Sequence, residues 1–92
     1  MRLPSKRPPT HPGEMLLEEF LRPMGMTQAD LARKVGKTTT AINELVRGRR
    51  GVSAKMAWLL AKEFKTSPEF WMNLQVAWDL WHARRELRRK AG

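Results

Sequence analysis

Residues 27–48 read TQADLARKVGKTTTAINELVRG and limit the fold more than any other stretch. Two short amphipathic helices meet there at one glycine. Thr27 is placed to cap the first, with Asp30 three residues on in a capping-box arrangement. Leu31, Ala32 and Val35 fall on one helical face. Gly36 supplies the left-handed conformation that ends the helix without steric cost. After a run of threonines, Ile42, Leu45 and Val46 restart the apolar face, and Gly48 stops it. A helix, a short turn with glycine and a second helix form the signature of a helix-turn-helix. In that motif the second helix enters the major groove of DNA.

The charge balance points the same way. The 92 residues carry 18 Lys and Arg against 9 Asp and Glu, a net charge of +9, and the isoelectric point is about 11.2. Such an excess favours a polyanionic partner, either nucleic acid or an acidic membrane surface. The chain length fits one modest domain. There is no cysteine, which excludes a disulfide framework, a thiolate nucleophile and a Cys-based zinc site. No apolar run is long enough to span a membrane, and the basic N-terminal segment lacks the apolar core of a secretory signal. The expected location is cytoplasmic and nucleoid-associated.

Along the chain, residues 1–10 hold three prolines and three basic residues and read as a flexible basic arm. Residues 11–80 read as the folded domain and 81–92 as a basic helical tail. HPGEMLLEEFLRPMG, from His11, reads as a first helix. Glu14, Glu18 and Glu19 suit its dipole, and Leu16, Leu17, Phe20 and Leu21 form its buried face. The Arg22-Pro23 step is expected to end it. Ser53 caps a fourth helix over 54–64, with Met56, Ala57, Leu59, Leu60 and Phe64 inward. Ser67-Pro68-Glu69 starts a fifth that meets no Gly or Pro before Gly92. No repeat or strand-like alternation is visible, so the expected fold is all-α with five helices.

A recognition helix reads base edges from its N-terminal turns. Thr38, Thr39, Thr40 and Asn43 are placed for that. Threonine offers a hydroxyl to a base or a methyl to thymine, and asparagine pairs with adenine. Thr38 can equally serve as a cap. Three consecutive threonines are poor helix formers, which argues for a role other than propensity. Gln28 starts the preceding helix, where side chain and backbone N–H can hold a phosphate. Arg47, Arg49 and Arg50 follow the recognition helix and suit phosphate contacts. Arg33 and Lys34 are weaker candidates, being ordinary helix-surface charges.

Helical spacing assigns Trp58 and Trp71 to the core. Leu74, Ala77, Trp78 and Trp81 continue a stripe beyond what the core needs, and such a stripe reads as a homodimer interface or, second, a contact with another protein. Met15, Met24, Met26, Met56 and Met72 read as gap-fillers. His11 and His82 match no ligand set, so no metal is expected. No catalytic triad, phosphate loop or carboxylate pair recommends an enzyme activity, and no cofactor is implied. A reading from another class is a membrane-surface amphipathic helix over 78–90, where tryptophans stand beside an Arg cluster.

Three pieces go beyond a general motif: HPGE at 11–14, NELVRGRRGVSAKMAWLLAKEF at 43–64, and TSPEFWMNLQ at 66–75. Together they resemble the HigA family of antitoxins, within the lambda-repressor-like (Xre) helix-turn-helix group. The resemblance implies a five-helix fold, operator binding as a dimer, and repression of its own operon. It also implies neutralisation of a HigB-type toxin, RelE-like in fold, that cleaves mRNA on the ribosome. The family's DNA-reading positions carry over to Gln28, Thr39, Thr40 and Asn43. Lys37 departs from the pattern, because an apolar residue commonly follows the turn glycine. Lysine can bury its stem and put its ammonium outward, where it adds a phosphate contact. The alternative is a stand-alone Xre-type repressor with no toxin partner.

Overall fold

The computed structural model describes residues 8–91, and the described residues form five helices and no strand. Helix α1 covers residues 12–24, α2 is Gln28–Val35, α3 is Thr39–Val46, α4 is Ala54–Phe64 and α5 is Pro68–Ala91. Most of the arm expected over 1–10 lies outside the described residues. The motif helices start as the sequence predicts. The Thr27 hydroxyl accepts the Asp30 N–H at 3.0 Å, and the Asp30 carboxylate accepts the Thr27 N–H at 3.1 Å. Thr38, Ser53 and Ser67 cap α3, α4 and α5 through the N–H groups of Ala41, Met56 and Phe70. Each cap satisfies a donor that a helix start leaves without a partner.

The core is one cluster. Leu16, Leu21, Leu31, Ile42, Leu45, Leu60 and Trp71 are buried to within 1 % of completely, drawn from all five helices. Phe20 and Phe64 pack on Trp71. Its indole N–H, which would be costly to leave unmade in the core, is donated to the Thr66 hydroxyl at 2.8 Å.

Two expectations are corrected. First, Pro23 does not end α1. The helix widens to one π turn over Leu17–Leu21, where the Arg22 N–H reaches back five residues to the Leu17 carbonyl. That register shift makes room for a ring that otherwise meets the carbonyl four residues back. The helix runs on to Met24 and stops at Gly25, at φ 63°. Second, Trp58 is not in the core. It is 66 % exposed, because Met56, Ala57, Leu60 and Ala61 define the inner face of α4 and residue 58 falls opposite them. The apolar surface of α5 divides between two sides of the helix. Leu74, Ala77, Trp78 and Trp81 are all half-buried. Leu74 packs on the core, and Trp78 meets His11 edge to face at 4.9 Å between ring centroids. The exposed apolar side chains are Val76, Leu80 and Leu87, on the opposite side of the helix. Helix α5 continues past residue 81 to Ala91, so the expected tail is helical over its described residues.

Candidate nucleic-acid interface

Two glycines shape the edge of the recognition helix. Gly36, at φ 70°, turns the chain from α2 toward α3. Gly48, at φ 74°, closes α3, with its own N–H on Leu45 and the Arg49 N–H on Glu44. This pairing of the last carbonyls leaves the loop at 47–51 leading directly off the helix.

The outer face of α3 is polar and open to solvent. Thr39 and Thr40 are exposed in its first turn, and Asn43 is half-buried one turn on. Ala41, Ile42 and Leu45 hold the opposite face in the core. Thr38 is exposed but spends its hydroxyl oxygen as the cap acceptor. Its hydrogen stays free, so capping and base contact are compatible. Asn43 is aimed by a partner that spacing alone did not reveal. Its Nδ2 donates to Gln28 Oε1 at 3.1 Å, joining the two helices of the motif across their outer edge. The bond fixes the amide's orientation and leaves its Oδ1 and second N–H for a partner.

The cations divide into tied and free. Arg33 bonds Asp30 at 2.8 Å, and Lys34 stands 3.9 Å from Glu63. Hydrogen bonds from Thr27 and then Arg33 hold the Asp30 carboxyl below the ordinary carboxylate range. Arg50 bonds Glu44, on α3, at 2.7 Å, a pairing with no helical i,i+4 spacing to betray it. Lys37, Arg47 and Arg49 are exposed and make no ion pair among the described residues. Lys37 lies in the turn between the helices with its charge outward, so its departure from an apolar residue leaves the fold intact. Lys37, Arg47 and Arg49 therefore border the polar face of α3 with charge that no carboxylate among the described residues neutralises.

Helix α1 seats the recognition helix. His11 caps α1 by accepting the Gly13 N–H on Nδ1 at 2.9 Å, a role that composition did not disclose. Gly13 then passes so close to α3 that a Cβ there would overlap the Leu45 carbonyl. The HPGE segment thus has a physical reading: cap, helix-starting proline, close-contact glycine and dipole-favoured acid. Among the described residues no group of His, Cys, Asp or Glu could hold a metal ion.

Comparison with known proteins places this architecture. A family model described as helix-turn-helix matches residues 17–71. The chain is 42 % identical to antitoxin HigA-1 of Vibrio cholerae over 95 % of its length and 82 % of that protein's. A solved antitoxin GraA superposes with a TM-score of 0.87 at 46 % identity, over 92 % of this chain and 91 % of that one. The Pseudomonas aeruginosa antitoxin HigA, solved with the higBA promoter, gives 0.85 at 41 % identity over 90 % of both chains. The chain belongs to the lambda-repressor-like helix-turn-helix family, in its HigA-type antitoxin group.

Proposed function

We propose that this protein binds double-stranded operator DNA with α3 in the major groove, represses the operon that encodes it and neutralises a HigB-type toxin. One observation carries the DNA reading. Thr39, Thr40 and a Gln28-braced Asn43 share an outer face with the unpaired cations Lys37, Arg47 and Arg49. Base-reading groups and phosphate-holding groups are both present, in the places the motif needs them. Thr38, Gln28 and Arg50 complete the set, Arg50 after exchanging Glu44 for a phosphate. A HigA-1 relative at 42 % identity supports the antitoxin role.

Two half-sites about 34–36 Å apart require two recognition helices held by a dimer. The exposed stripe of α5 serves that purpose better than the half-buried one. Val76, Leu80, Ala83 and Leu87 follow the alternating four-three spacing of a coiled-coil seam. In a parallel pair, Asp79 beside the seam faces Arg84 of the second copy; an antiparallel pair would set like charges together. This charge pattern supports a second copy of the chain, in parallel, as the occupant.

Titration of specific and random DNA tests the reading. Thr40→Ala with Asn43→Ala should lower operator affinity by roughly ten-fold or more while leaving random-sequence binding intact. An unchanged ratio of the two affinities removes these residues from base reading. Co-purification with the co-expressed toxin tests the second half.

A further inference from the structure

Gln75 stands outside the outer face of α3, yet both the oxygen and the nitrogen of its amide hold a partner. Its Oε1 accepts the Val52 N–H at 2.8 Å, and its Nε2 donates to Asp79 Oδ1 at 2.9 Å. Val52 is buried and directly ends the basic loop at 47–51. Gly51, just before it, lies against the Gln75 amide. A Cβ at Gly51 would come within 2.6 Å of Oε1 and 2.8 Å of both Cδ and Nε2. Gly51 is not among the residues at positive φ, so its small size, rather than its backbone freedom, is what this packing uses. The loop is thus fastened at both ends, by the Gly48 turn on α3 and by Gln75 on α5.

We propose that Gln75 is a positioning residue for DNA binding: it fastens the arginine-bearing loop to the last helix, so that the loop meets phosphate already ordered. The proposal rests on the DNA-binding reading above. Its physical basis is entropy. A loop that is fixed before binding avoids the ordering cost that a loose one meets on contact. Asp79 adds a link of its own. It orients the Gln75 amide and flanks the α5 seam, so the dimer helix and the phosphate loop share one hydrogen-bonded chain.

A double-mutant cycle on the full chain tests this. Gln75→Ala removes the tether, and Gly51→Ala displaces it from the other side. Each should weaken operator and random DNA alike by about ten-fold, the factor for ordering one or two loop side chains on binding. In the Gln75→Ala background, Gly51→Ala should cost little more, because its obstacle is gone. Hydrogen exchange on the free protein should show the Val52 amide losing protection in both variants, with the core amides of α3 unchanged. Variants that bind DNA like the parent, or losses that simply multiply, overturn the role of Gln75. Parent protein that binds no DNA overturns the reading beneath it, while Val52 exchange still reports the tether itself.

Discussion

Gly13→Ala sets two physical effects against each other, and they differ in sign. Gly13 lies in the first turn of α1, and alanine exceeds glycine as a helix former by about 1 kcal/mol at an interior position. Local propensity therefore predicts a stabilised protein. Tertiary contact predicts the reverse. The added Cβ would overlap the Leu45 carbonyl oxygen, stand 2.5 Å from the Leu45 carbonyl carbon and 3.0 Å from Val46 Cα. The obstacle is backbone on the recognition helix, which cannot swing aside as a side chain can. Overpacking costs about 1–3 kcal/mol in ordinary cores, and a backbone obstacle belongs at the upper end. The net loss is about 2 kcal/mol. For a domain of this size, about 4–8 °C per kcal/mol makes the expected fall in melting temperature about 8–16 °C. Thermal unfolding followed by circular dichroism measures it. The displaced α3 should also lose operator preference in a titration beside the parent. A variant that melts at or above the parent refutes the close packing of α1 on α3.

Three further outcomes follow from the same structure. Arg49→Ala should make the slope of log affinity against log salt shallower by roughly one, whereas Arg50→Ala should change it less, because Glu44 already neutralises Arg50; equal changes refute the distinction. Burial lowers the pKa of His11 below its ordinary value, against the opposing charges of Asp79 and Glu14 and with help from His82. The folded state thus binds its proton less readily than the unfolded one. Stability is full above the unfolded value of about 6.5 and declines as pH falls below it toward the folded value, since protonation also removes the acceptor for the Gly13 N–H. Urea titrations across that range should show the decline in the parent and not in His11→Asn, which retains a capping acceptor; matching profiles remove His11 as the cause. Leu80→Asp should convert a sedimenting dimer to monomer at micromolar concentration while α-helix content is kept, and a dimer that survives it removes the α5 seam.

Local signals carried much of the fold into view. The Thr27–Asp30 box, the caps at Thr38, Ser53 and Ser67, and the glycines at 36 and 48 are decided by neighbours within a few residues. The exposed threonines of α3 were legible for the same reason, since a strongly apolar inner face dictates which residues must point out. Trp58 was not. An apolar side chain at helical spacing fits an inner or an outer face until the neighbours that fill the inner one are known. Pro23 misled because its usual cost assumes a regular ladder, and a π turn precedes it here.

The sequence by itself determined that this protein is five helices around one core, with a basic helix-turn-helix whose second helix presents Thr39, Thr40 and Asn43. Periodicity, caps and charge act along the chain, so the chain alone displays them. Only the tertiary structure decided which partners those residues keep. The Asn43–Gln28, Arg50–Glu44 and Gln75–Val52 bonds span 15, 6 and 23 residues, and the close passage of Gly13 over Leu45 spans more than the first of these. It also decided which side of α5 is spare, because Trp78 lies back against His11 and leaves Val76, Leu80 and Leu87 in solvent. Contacts at such separations depend on how helices are set against one another, and no single helix's pattern contains that.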